Sequence, residues 1–227
     1  MNISRLILSI GIISLGIVSF SCSEPKKTEA EKAVEIAQNQ SPQLEKKTIL
    51  FFGNSLTAGY GIDQDDSFSG LVQDKIDSLG LNYRVINGGL SGETTAGGLS
   101  RLDWFLEDQP EVFVLELGGN DGLRGIQLSE TKSNLEKIID KVRAKFPDTK
   151  IILAGMQIPP NMGQEYTDEF KEIYPVVAQE KDVTLIPFLL EGVAGDPELN
   201  LPDGIHPTEE GHKIVYKTVW PFIEQSL

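Results

Sequence analysis

From Thr48 onward the chain alternates short apolar runs with segments whose apolar residues recur every three or four positions. This alternation, more than any other feature, narrows what the chain can fold into. TILFFG (48–53) is a continuous apolar run, the pattern of a strand covered on both faces. Residues 67–79 carry Phe68, Leu71, Val72, Ile76 and Leu79 at helical spacing. Strands are then expected at 83–89, 111–119, 150–155 and 183–188, and helices at 95–108, 130–146, 166–181 and about 208–225. Pro221 is expected to kink the last helix or split off its final turn. Five strands separated by helices imply right-handed crossovers. The expectation is an α/β fold, a three-layer αβα sandwich with a flavodoxin-like parallel sheet in the order 2-1-3-4-5. Ligands then belong beyond the carboxyl ends of the strands, beside the switch between strands 1 and 3.

The stretch before Thr48 does not fit this pattern. Arg5 precedes an apolar run from Leu6 to Phe20, then small residues and Cys22. That is the layout of a signal peptide over 1–21. Cys22 is the only cysteine in the sequence, which excludes an intramolecular disulfide. A cysteine directly after an h-region resembles a lipobox, and implies a lipoprotein with Cys22 as its lipidation site; ordinary secretory cleavage with a free Cys22 is the alternative. An uncleaved membrane anchor is a third reading, and all three place the domain outside the cytoplasm, in the periplasm for the lipidated form. Residues 22–46 are polar, without aromatics, and read as a flexible tether; the folded domain spans 47–227.

The formal charge is −14. Arg5 contributes +1 and the acids and bases of 23–47 cancel, so residues 48–227 carry −15. No nucleic acid partner is therefore expected, because phosphate binding needs a basic footprint. Electrostatic docking on anionic lipid is disfavoured too, which leaves the N-terminal anchor as the membrane attachment.

The polar residues at the strand ends carry the chemistry. Strand 1 runs into GNSL with Ser55, strand 2 into NGGLSGET with Gly92, and strand 3 into GGND with Asn120. After strand 5 comes LPDGIHPTEEG, with Asp203 and His206. Each is ordinary alone: a serine before a helix is usually a cap, and Gly and Asn are common in turns. Together they deliver a nucleophile, a base, an acid to orient it and donors for an oxyanion to one edge of a sheet. Serine needs a base, imidazole titrates near neutrality, and a carboxylate can hold the imidazole in the required tautomer. The backbone N–H groups of Ser55 and Gly92 and the Asn120 amide can receive the oxyanion. His212, inside the last helix, is expected to cap or pack.

The elbow G-x-S-x-G is absent. The four blocks around Ser55, Gly92, Asn120 and His206 instead resemble the SGNH (GDSL) hydrolases. ELGGNDGLRG (116–125), MQIPPNMGQEY (156–166), IYPVVAQEKDVTLIPFLLEGV (173–193) and DGIHPT (203–208) look like the thioesterase I, lysophospholipase and arylesterase branch. The resemblance covers about residues 47–227. It implies a serine ester hydrolase, monomeric, with an acyl-ester or lysolipid substrate and neither metal nor organic cofactor. One departure stands out: the family usually has Asp before the serine, and this chain has Asn54. The apolar stretch Met156, Ile158, Pro159, Pro160 and Met162 is the expected acyl groove. A carbohydrate O-acetylesterase with the same machinery and a non-catalytic lipid-binding lipoprotein are the other readings.

Overall fold

The computed structural model describes residues 45–227; the expected signal peptide, Cys22 and most of the tether lie outside them. The strands are β1 (Lys47–Gly53), β2 (Tyr83–Gly89), β3 (Val112–Glu116), β4 (Lys150–Ala154) and β5 (Thr184–Ile186). They form one parallel sheet in the order β2-β1-β3-β4-β5. The helices are α1 (Ser55–Ala58), α2 (Phe68–Ser78), α3 (Thr95–Arg101), α4 (Gly119–Leu123), α5 (Leu128–Lys145), α6 (Gln164–Lys181) and α7 (Glu209–Glu224). α2 packs beside α7 in one layer, and α5 lies between α3 and α6 in the other.

The central strands are apolar because both their faces are covered. Ile49 to Phe52 and Val112 to Leu115 are all at most 1% exposed. Burying an aliphatic or aromatic side chain of this size stabilises by roughly 1.5–3 kcal/mol, so these two strands anchor the sheet. Their registers align the carboxyl-end edge of the sheet: Gly53 pairs with Gly89 on one side and Glu116 on the other. The segments that follow these three residues therefore leave the sheet at one level.

Four expectations need correction. The helix expected over 95–108 ends at Arg101 and continues as a 3₁₀ turn, Leu102–Phe105. Leu99, Leu102 and Phe105 recur every three residues, a spacing that suits the three-residue turn as well as the α-helix. The tighter turn buries Leu102 and leaves Trp104 77% exposed. The strand expected over 111–119 stops at Glu116, because Gly118 takes φ +109° and the chain turns into α4. β5 is shorter than expected, three residues, and Pro187 follows it directly. The last helix runs past Pro221 to Glu224 with no turn split off, against expectation, because a proline removes only the hydrogen bond of its own missing N–H.

Candidate active site

The chain leaves β1 at Gly53 and closes a short helix immediately. Asn54 caps that helix: its Oδ1 accepts the Leu56 N–H at 2.9 Å. Ser55 is thus the first helical residue, not the cap. Asn54 is buried and reaches back to the end of β3, where its Nδ2 donates to Glu116 Oε1 at 2.6 Å. The Asn54 N–H, the Thr57 N–H and the Thr57 hydroxyl donate to the other carboxylate oxygen, Oε2. Glu116 is fully buried, and that burial lifts its carboxyl to about 7 against the four donated bonds.

The histidine arrives from the far end of the sequence. Before α7 the chain makes a tight loop. Gly204 at φ +73° forms its bend, and the Leu201 N–H donates to the His206 carbonyl at 2.7 Å across its base. Asn200 Nδ2 ties this loop to the Val193 and Asp196 carbonyls. Within it Asp203 Oδ1 accepts the N–H groups of Ile205 and His206, each at 3.0 Å. Its other oxygen lies 2.7 Å from His206 Nδ1. These contacts, the Ile205 bond first, lower the Asp203 carboxyl to about 2, so it is ionised at neutral pH. An ionised Asp203 accepts the Nδ1 proton, which leaves Nε2 free to accept. His206 Nε2 lies 2.9 Å from Ser55 Oγ. The structure thus joins Ser55, His206 and Asp203 in a continuous line.

The two further candidate donors face the same opening. Gly92 takes φ +79° inside a turn that the Glu93 N–H closes on the Leu90 carbonyl at 3.1 Å. Such a φ is the left-handed region glycine adopts without strain. Asn120 stands on α4, and its Nδ2 donates to the Glu93 carbonyl at 3.0 Å. Because only the nitrogen end can donate to a carbonyl, this bond fixes which way the amide faces. Ser55, Gly92, Asn120 and His206 all line one cavity of about 400 Å³. That is the size of a small-molecule pocket.

The acyl groove expected on Met156, Ile158, Pro159, Pro160 and Met162 forms only in part. Met156, Ile158 and Pro159 do line the cavity. Met162 does not, nor does Pro160: the chain enters a 3₁₀ turn at Pro160–Met162, and the Met162 terminal methyl lies against Gly125 instead. The apolar wall is completed by residues the sequence did not single out, Leu56, Leu123, Leu190, Ala194 and Ile205. Tyr60 was also missed. The left-handed Gly59 ends α1, the Tyr60 N–H returns to the Ser55 carbonyl at 3.0 Å, and its ring centre sits 4.5 Å from that of His206. His212 packs, as expected: it is buried, stacks on Phe68 and accepts the Phe68 N–H at Nδ1. Burial lowers its imidazole to about 4.

The chain resembles known proteins over most of the described domain. The model of the GDSL-like lipase/acylhydrolase family matches residues 51–214, most of the described domain. The chain belongs to that family. Among GDSL-like relatives, it is 39% identical over 186 residues to the esterase TesA of Pseudomonas aeruginosa, covering 82% of this chain and 92% of that one. It is 38% identical over 169 residues to thioesterase 1/protease 1/lysophospholipase L1 of Escherichia coli K12, covering 74% and 79%. A crystal structure of TesA superposes with a TM-score of 0.76 at 40% identity, over 80% of this chain and all of the other.

Proposed function

We propose that the protein hydrolyses carboxylic esters through an acyl-enzyme on Ser55. The observation that carries this reading is the line Asp203–His206–Ser55, with steps of 2.7 and 2.9 Å, opening into a cavity that also holds Gly92 and Asn120. His206 Nε2 takes the Ser55 proton as Oγ forms a bond to the acyl carbon. The carbonyl electron pair moves onto oxygen, where the N–H groups of Ser55 and Gly92 and the Asn120 amide receive it. The pair returns, the ester C–O bond breaks, and His206 gives its proton to the leaving alcohol. Water, activated by His206, then repeats the sequence and frees the acid. Asp203 keeps the imidazole in the productive tautomer throughout and stays ionised.

The apolar wall of the cavity favours an acyl chain or aryl group over a sugar. The relatives named as an esterase and as a thioesterase and lysophospholipase fit the same substrate class. The N-terminal pattern adds a place: outside the cytoplasm, tethered by lipid on Cys22. There, coenzyme A thioesters are scarce, and lysolipid, aryl or short-chain esters are the better substrates. Mass spectrometry of the mature N-terminus tests the anchor; an unmodified residue overturns it.

Hydrolysis of p-nitrophenyl esters from acetyl to dodecanoyl, by the protein and its Ser55→Ala variant, tests the chemistry. Activity on chains longer than acetyl that vanishes in the variant is the expected result. Activity confined to acetyl moves the assignment to an O-acetylesterase. Activity retained in Ser55→Ala removes the serine from the mechanism.

A further inference from the structure

Behind the oxyanion donors lies a buried ion pair that the relay does not touch. The side chains of Glu93 and Arg101 are 4% and 9% exposed. Arg101 Nε donates to Glu93 Oε2 at 2.6 Å, and Nη2 contacts the same oxygen. Nη2 also donates to the carbonyls of Gly88, at 2.8 Å, and Gly53, at 3.2 Å. These belong to the ends of β2 and β1, and Gly53 is two residues before Ser55. The guanidinium lies over the rings of Phe52 and Phe105, 4.3 and 5.0 Å from their centres. Taking two charges out of water rarely stabilises a fold more than apolar residues of the same volume would. Stability alone is a weak reason for this pair.

Its connections supply a better one. Glu93 closes the turn that carries Gly92, and that turn is tied to β1 through the Leu90 N–H and the Gly53 carbonyl at 3.0 Å. The Glu93 carbonyl also holds the Asn120 amide. Glu93 thus supports both donors that lie outside the Ser55 turn, beside the bond from Arg124 Nη2 to the Gly92 carbonyl at 2.8 Å, and Arg101 locks Glu93 to the strand that delivers Ser55.

We propose that the Glu93–Arg101 pair is the positioning device of the oxyanion hole. It holds the Gly92 N–H and the Asn120 amide at a fixed separation from Ser55. Both are positioning residues, since neither lines the cavity. The inference rests on the ester-hydrolase reading, and the experiment separates the two.

Glu93→Gln removes the charge pair at nearly constant shape; Arg101→Lys keeps the charge and loses the fork. Each is made alone and combined with Asn120→Ala, and kcat, KM and melting temperature are measured on p-nitrophenyl butyrate. Glu93→Gln is expected to lower kcat about 10- to 100-fold with KM within about twofold, since a transition-state interaction is lost. In the Asn120→Ala background the same change should cost several-fold less, because part of its effect runs through that amide. Arg101→Lys should fall between wild type and Glu93→Gln, and it supplies the same cycle if Glu93→Gln does not fold. Equal losses in both backgrounds, or a lowered melting temperature with kcat unchanged, overturn the inference. An inactive wild type, or an active Ser55→Ala protein, overturns the ester-hydrolase reading instead.

Discussion

Asn54 and Glu116 face each other across the β1–β3 boundary, with the Asn54 amide nitrogen 2.6 Å from a fully buried carboxylate oxygen. The family usually carries an acid where this chain has Asn54. An amide satisfies the neighbour as a donor, while a second carboxylate at this distance must share a proton with it. The exchange leaves the Leu56 cap intact, because either side chain offers an oxygen there.

Asn54→Asp should therefore fold with a new pH dependence. Two buried carboxylates this close raise one pKa well above the ordinary value, so stability is lost as pH rises through it. The variant is expected to match the wild type at pH 5 and to be less stable by roughly 2 kcal/mol at pH 8. Urea unfolding at the two pH values checks this; an equal difference at both would mean the proton is not shared.

Glu116 and His212 should oppose each other in the wild type. Glu116 titrates near 7 folded and 4.5 unfolded, so the folded state holds the extra proton between these values and stability falls as pH rises. His212 titrates near 4 folded and 6.5 unfolded, so here the unfolded state holds the extra proton and stability rises. Across pH 4.5–6.5 the two slopes, each of order 1 kcal/mol per pH unit, largely cancel. Relative to wild type, as pH rises through this window Glu116→Gln should gain stability and His212→Asn should lose it. Parallel profiles for all three proteins would refute the pairing.

Asp203→Asn should leave the fold nearly untouched and remove most activity. The Asp203 side chain is 37% exposed and serves mainly its own loop. The amide presents either a donor or a weaker acceptor to His206 Nδ1, which favours the wrong tautomer. A loss in kcat of about 10⁴ is expected. A melting curve beside the kinetic assay separates this from unfolding.

Tyr60→Ala should slow turnover by about two- to fivefold, and Tyr60→Phe should not. The ring packs against the imidazole that becomes a cation during each half-reaction, and an exposed cation–π contact is worth about 0.5–1 kcal/mol. The hydroxyl takes no part in that contact. Equal losses in both variants would point to the hydroxyl and away from the ring.

The sequence disclosed the sheet and the reacting line well, and for definable reasons. β1 and β3 are continuous apolar runs because helices cover both faces. Right-handed crossovers put helices on both faces of the sheet, and the strand ends point to the edge that holds Ser55 and His206. The contacts that tune that edge stayed hidden. Glu116 reads as the polar end of an apolar run; nothing nearby in the sequence reveals that its partners, Asn54 and Thr57, lie about 60 positions earlier. Glu93 and Arg101 sit in a segment with the look of a surface helix start, and only the fold brings the strand carbonyls to the guanidinium. Met162 looked like groove because it is apolar and close to Ile158. A 3₁₀ turn, which the Pro159–Pro160 pair allows, carries it away.

The acid and the base of the candidate relay travel together. Asp203 and His206 occupy one loop that is closed on itself by its own hydrogen bonds, so their 2.7 Å contact does not depend on the sheet. Within the relay itself only the Ser55–His206 contact spans two parts of the fold, with the Tyr60 ring packed beside it. The relay has a single joint, and warming should open that joint between strand and loop while the acid–base couple stays assembled on one side of it.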